Sequence, residues 1–191
     1  MRIIEAELVS TTPIEFGKQQ ESTKQPNETW EQYGERTWKE RCHTDDKGNV
    51  YINPMAFRKA LETAASRINE SVPGKGKQKW GKYICSGIQT CDPVFIGIHV
   101  DNISYKIVSV PSDGKPSGQS KGSRVARYFP HADKWKGKLI LTISDDTIPF
   151  DQIKKWLIYA GQFCGVGVYR PSSSSGGWYG KWMVKSFKEI K

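Results

Sequence analysis

Five glycines within sixteen residues, Gly165, Gly167, Gly176, Gly177 and Gly180, constrain this chain more than any other feature. Glycine enters the left-handed backbone region without steric penalty and lets two backbones meet where a Cβ would clash. The elements on either side are legible. Thr147-Ile148-Pro149-Phe150 opens a helix, in which Phe150, Ile153, Leu157 and Ala160/Gly161 share one face at spacings of three and four. Gly165 stops that helix. Beyond the glycines, Lys181 to Phe187 reads as a strand. Arg170 lies inside the loop, with Lys181 and Lys185 just past it, so the segment predicts a concave, basic surface with exposed main-chain N–H groups. A long flexible connection explains the same composition.

Charge narrows the partner. Lys and Arg number 29 against 20 Asp and Glu, a net +9 with a pI near 9.3. Such an excess points to a polyanion, of which nucleic acid is the commonest. A membrane is not expected. No apolar run approaches the ~20 residues a span needs, and no helix pairs a wide apolar face with a lysine-rich one. Met1-Arg2-Ile3-Ile4-Glu5 is too short and too acidic for a signal peptide, so a cytoplasmic location is the expectation. The four cysteines, Cys42, Cys85, Cys91 and Cys164, include no Cys-x-x-Cys pair and read as reduced thiols, mostly buried. Cys42, His43, Cys85 and Cys91 do not match a zinc-ligand spacing, and neither a metal nor a cofactor is expected.

Taken in order, Arg2 to Val9 is β-branched enough for a strand, closed by a turn from Ser10 to Gly17. Residues 17–28 are polar. Thr29-Trp30-Glu31-Gln32 matches a capping box ahead of a short helix that carries Trp30, Tyr33 and Trp38. These rings either dock the segment on the core or stack on bases. Asp45 to Asn49 forms a turn and Val50-Tyr51-Ile52 is extended. Asn53-Pro54 starts a helix with Asn as cap and Pro in the first turn, and its buried stripe is Phe57, Leu61, Ala64 and Ile68. Arg58 and Lys59 lie off that stripe near the N-terminal end, where free amides also favour phosphate. Val72 to Tyr83 is the densest basic run. In it, Lys75, Lys77, Lys79 and Lys82 would hold phosphates and Trp80 would stack on a base. Val94–Val100 and Ile103–Val110 read as strands joined by a turn. Ser112 to Ser123 is low in complexity and reads as a loop, flexible or ordered by a ligand. Arg124, Arg127 and Tyr128 follow it as further phosphate and stacking candidates. Gly137 to Ser144 is an apolar strand. The order strand, helix, strand, strand, helix, strand fits an α+β class: one domain over 1–191 with a ferredoxin-like, RRM-like split β-α-β core. Long insertions fall at 17–50, 72–92 and 103–136.

With these elements laid out, the chain resembles the RAMP superfamily, the RRM-fold proteins of CRISPR systems. The first strand leading into Ser10-Thr11-Thr12-Pro13-Ile14-Glu15-Phe16-Gly17 is similar to their opening strand and turn. Val50 to Leu61 resembles their extended segment, small-residue cap and basic helix. Gly165-Val166-Gly167 through Gly176-Gly177-Trp178-Tyr179-Gly180 resembles their glycine-rich loop after the second helix. The look is nearest to the backbone subunits that coat guide RNA. The resemblance implies single-stranded RNA as ligand, further subunits or copies of the chain as partners, and a binding face built from Arg58, Lys59 and Arg170; Lys181, just past the glycine-rich loop, is a further nucleic-acid-binding candidate from its position. The superfamily also includes endoribonucleases, which gives one alternative; a phage protein that mimics a subunit and inhibits a CRISPR complex, and a binder of single-stranded DNA, are further alternatives.

Catalysis is not the expectation. Of His43, His99 and His131, His43 is the best acid–base candidate, because Lys39 and Arg41 are close in sequence. Asp45-Asp46 and Asp145-Asp146 sit at turns, where paired Asp does capping work. There is no Walker loop, no Gly-x-Ser-x-Gly and no His-Glu-x-x-His.

Overall fold

The first strand becomes the middle of the molecule. In the computed structural model, which describes residues 1–112, 122–174 and 176–190, the elements in chain order are β1 (Arg2–Ser10), β2 (Ile14–Glu15), α1 (Trp30–Thr37), β3 (His43–Thr44), β4 (Asn49–Ile52), α2 (Pro54–Ile68), α3 (Gly81–Gly87), β5 (Ile88–Gln89), β6 (Val94–His99), β7 (Ser104–Pro111), β8 (Arg124–Ala132), β9 (Lys136–Ile143), α4 (Phe150–Phe163) and β10 (Trp182–Glu189). A four-stranded sheet runs β10-β1-β9-β5, and β9 is antiparallel to both of its neighbours. Hence β1 and β5 are parallel with one strand between them, which is the split β-α-β core the sequence predicts. Ile4, Ala6 and Leu8 of β1 and Leu139, Leu141 and Ile143 of β9 alternate onto one apolar face. Helices α2 and α4 pack against each other and on that face, with Phe57 edge-on to Trp182 at 5.4 Å. Each such buried side chain contributes roughly 1.5–3 kcal/mol.

Local signals set both helices. The Asn53 side chain accepts from Met55 N–H at 2.9 Å, Pro54 fills the first helical position, and Asn69 ends α2 in the left-handed region at φ 55°. In α4, Ile153, Trp156, Leu157, Ala160 and Gly161 are buried. A Cβ at Gly161 would lie 2.4 Å from the Trp182 carbonyl oxygen, so glycine lets α4 approach β10.

Two smaller sheets, β2-β8-β7 and β3-β4-β6, flank the core, and here the structure departs from expectation. The second core strand is the two-residue β5, inside a stretch read as an insertion, rather than Val94–Val100. Strand β6 leaves the core to pair with β4. Strand β7 does not pair back onto β6; it pairs with β8, a strand the sequence did not announce. The capping box at Thr29 forms as expected, with Gln32 N–H donating to Thr29 Oγ1 and Thr29 N–H to Gln32 Oε1. Trp38 packs on Tyr105 at 4.9 Å, docking this segment on the β7–β8 hairpin. The expected loop from Ser112 to Ser123 falls mostly on residues 113–121, outside the described residues.

Among its described residues, the glycine-rich loop is tied down by backbone hydrogen bonds. Val166 N–H donates to Gly180 O at 3.0 Å, Gly180 N–H to Pro13 O at 2.6 Å, Val168 N–H to Glu15 O at 2.9 Å, and Tyr179 N–H to Tyr169 O at 3.1 Å. Gly180 has φ +69°, and a Cβ there would lie 1.7 Å from Val166 O. The loop is thus laced to the turn after β1, and glycine permits the spacing.

Candidate nucleic-acid interface

A cleft of about 350 Å³ opens where this laced loop meets the start of α2. Ile14, Phe16, Ile52 and Val168 line it with apolar surface, while Lys18, His43, Asn53, Arg170 and Ser173 supply polar groups. Among the described residues, no carboxylate lines it. Arg170 is held by donating Nη1 to Gly167 O at 2.9 Å, and the preceding Tyr169 sits at φ 53°, unusual for a side-chain-bearing residue. Lys18 reaches the cleft and pairs with Glu21 at 2.6 Å. Burial and the neighbouring Lys18 charge hold His43 below the usual imidazole range, so it is neutral at physiological pH. The cleft therefore offers two cations, a neutral imidazole, hydroxyl and amide groups, and an apolar floor. That suits a phosphodiester strand with its bases turned to one side.

The expected meeting of the glycine-rich loop with the first turns of α2 occurs, but Arg58 does not share it. Arg58 turns the other way, donating to Cys85 O at 2.6 Å and pairing with Glu62 at 3.3 Å, as part of the contact with α3. Lys59 is exposed and pairs with the same Glu62. The basic run follows the opposite end of α2, roughly 20 Å away along a fifteen-residue helix. There Lys75, Lys77 and Lys82 are exposed, and Lys79 donates to Asn69 O and Ser71 Oγ at 2.9 and 3.0 Å. Trp80 is only 4% exposed, edge-on to Trp156 and Tyr83 at 5.7 Å. It is a core residue and cannot stack on a base. Tyr128, 6% exposed, is covered by Tyr105 and Gly34 and is likewise not a stacking platform. Arg124 is tied to Ser109. Lys181 lies over the exposed Trp178 ring at 5.3 Å. Arg127 opens into a second pocket, beside Arg41 and Trp30.

RRM-type sheets bind RNA through aromatic rings on the open face of the central strands. This sheet does not offer that. The central strands β1 and β9 contain no aromatic residue, and Glu5 on the open face is engaged by Lys138 and Lys188 at 2.9 and 3.0 Å. These cations hold the Glu5 carboxyl below its ordinary range.

Several groups escaped the sequence reading. Lys18 and Arg41 are joined by one backbone bond, Lys18 N–H donating to Arg41 O at 3.0 Å, between residues 23 positions apart. Glu15 is fully buried behind the cleft, and both its carboxylate oxygens lack a hydrogen bond among the described residues. His131 Nδ1 lies 3.5 Å away and its Nε2 is 3.0 Å from Asp133. Desolvation pushes the Glu15 carboxyl up, against the opposing pull of His131. The alternation Ile14-Glu15-Phe16 was the one available signal for β2. No groups of three or more His, Cys, Asp and Glu suited to a metal occur among the described residues.

No protein-family model matches the sequence, and a search of curated proteins finds no match. Solved structures do resemble it. A chain from the Type III-B Cmr-beta complex bound to cognate target RNA aligns over 100% of this chain and 61% of its own, with a TM-score of 0.56 and 11% identity. Cmr6 from Pyrococcus furiosus aligns over 96% of this chain and 98% of its own, at TM-score 0.49 and 12% identity. The protein thus shares its fold with the chain from the Cmr-beta complex, an α+β architecture around a split β-α-β core. It spans about three fifths of the length of the Cmr-beta chain. Among the described residues, no helix is long and apolar enough to cross a membrane.

Proposed function

We propose that the protein binds single-stranded nucleic acid, RNA in the first instance, along the cleft between the glycine-rich loop and the start of α2, and acts as a strand-coating subunit. The observation that carries this is the cleft itself. Lys18, although paired with Glu21, and Arg170 both line it, with no carboxylate among its described lining residues, on a chain of net +9. The RAMP-like fold supports the reading, since the Cmr-beta chain it matches comes from a complex bound to target RNA. Copies of the chain, or other subunits, would lie side by side along the strand.

Fluorescence anisotropy with a labelled single-stranded oligoribonucleotide tests this. With the two phosphate contacts that Lys18 and Arg170 supply, log K should fall with log salt at a slope of about −1.4. Arg170→Ala should reduce that slope by about 0.7 and weaken binding to all sequences alike. A flat salt response, or an Arg170→Ala variant identical to the parent, would overturn the proposal. His43 in the cleft favours a second reading, cleavage of the bound strand, with its neutral imidazole as proton acceptor. Oligoribonucleotide that remains intact after long incubation removes that reading.

A further inference from the structure

A second pocket, of about 350 Å³, lies between α1 and the β7–β8 hairpin. Its wall carries Arg41 and Arg127, its mouth the indole of Trp30, and no carboxylate lines it among the described residues. Arg41 is the informative residue. It lies across the Phe129 ring at 5.2 Å and donates Nη2 to Gln20 Oε1 at 2.7 Å. Its Nε is buried and has no hydrogen-bond partner among the described residues. Arg127, exposed, has no ion pair among the described residues and stands close enough to depress the Arg41 guanidinium, an effect second only to burial. Glu31 and Glu35 of α1 act on the Tyr128 hydroxyl, yet neither lines the pocket. A half-buried guanidinium facing a second guanidinium, with a donor left idle, is costly unless an anion completes it. Trp30 is 66% exposed and forms an edge-to-face pair with Tyr33 at 5.9 Å, which steadies an aromatic surface at the pocket mouth. Lys24 lies 5.6 Å from the centre of that indole.

We propose that this pocket is a phosphate-binding subsite, in which Arg41 and Arg127 close on one phosphate group while Trp30 receives an adjoining nucleobase. Its anion chemistry stands on the two arginines alone; the source of the phosphate, a bound strand, rests on the function proposed above. The pocket neighbours the first cleft. Lys18 and His43 line the cleft while Gln20 and Arg41 line the pocket, and the backbone bond from Lys18 N–H to Arg41 O ties the two linings together. A strand leaving the cleft would meet the arginine pair next. The α1 insertion would thus hold the strand against the hairpin.

Arginine Nε–Hε resonances in proton–nitrogen correlation spectra of the full chain provide the test. Two probes are titrated separately, inorganic phosphate and a short 5′-phosphorylated oligouridylate. Saturable downfield movement of the Arg41 Nε–Hε signal with both probes, abolished in Arg127→Gln, is the expected result. Oligouridylate affinity should fall about tenfold in Arg127→Gln and by a similar factor in Trp30→Ala, consistent with one charge-assisted contact and one stacked base. Both residues are exposed, so the variants should fold. Movement with inorganic phosphate alone supports the anion site, overturns a bound strand as its source, and leaves the cleft to its own salt-dependence test. An Arg41 signal unmoved by either probe, with oligouridylate binding unchanged in Arg127→Gln, overturns the subsite and leaves the cleft reading standing.

Discussion

Replacing Gly180 by alanine should damage this fold more than any other single-methyl change in the glycine-rich loop. Two costs add. At φ +69° an L-residue is strained, by about 1–2 kcal/mol. The new methyl would also lie 1.7 Å from Val166 O, 2.7 Å from Val166 C and 2.8 Å from Val166 N. These are backbone atoms that no rotamer change can move. Relief requires the 166 and 180 backbones to part, which loosens the bonds from Val166 N–H to Gly180 O and from Gly180 N–H to Pro13 O. Together these effects give about 2–5 kcal/mol, a large fraction of a typical 5–15 kcal/mol stability. Gly176 supplies the control: φ is +65° but nothing lies within 4 Å of its would-be Cβ, so Gly176→Ala should cost only the conformational part. In urea unfolding, Gly180→Ala should shift the midpoint by about 1–2 M at unchanged m, and Gly176→Ala by much less. Equal shifts for the two variants would refute the argument that close backbone approach, rather than turn conformation, explains this glycine.

Other consequences are as open to test. Trp80→Ala should lose about 3–5 kcal/mol of stability while leaving the affinity of the folded fraction for single strands unchanged, because the ring is packed on Trp156 and is not a stacking platform; specific loss of binding at full stability would contradict this. The Glu15 carboxyl is raised above its ordinary 4.5 by burial. The native state therefore holds this proton more tightly than the unfolded chain, and the stability linked to it is lost as pH rises through the folded-state value. Glu15→Gln should flatten that dependence in denaturation curves measured across the weakly acidic range, and an unchanged slope would remove Glu15 from the account. Burial pushes the Cys42 thiol up to about 12, and Cys164 is raised for the same reason. A thiol reagent should modify the two exposed cysteines, Cys85 and Cys91, in the native protein and all four in denaturant; rapid native modification of Cys42 would be inconsistent with its packing.

What could be read ahead of the structure followed the range of the interactions. Both core helices were legible because Asn53-Pro54 and the Ile153–Leu157 stripe act within a few residues. The glycine cluster announced close approach, although which backbone approached lay more than 150 positions away, at Pro13 and Glu15. Strand β5 was hidden because two residues carry no period and its partner, Thr142 and Ile143, is remote. Strand β8 was hidden because its residues were read as a basic segment after a low-complexity loop. The site suffered in the same way. Arg170 and the start of α2 come together as the resemblance implies, whereas Arg58 is drawn off by Glu62, one turn along its own helix. Trp80 looked like a stacking ring among lysines because side-chain direction in an aperiodic segment cannot be inferred from composition. Arg41 gave no signal, since its importance arises from Arg127, 86 positions later.

Photo-crosslinking gives the most direct view of where the strand lies. A 4-thiouridine-substituted single-stranded RNA would be bound at low salt, irradiated, and the attached peptides identified by mass spectrometry. Attachment within residues 14–18, 43–56 and 167–173, lost together when Arg170 and Lys18 are both replaced by alanine, is the expected result. Attachment confined to the basic run at 72–82 or to the open sheet face around Glu5, or none at any salt, would contradict the claim that the cleft beside the glycine-rich loop binds the strand.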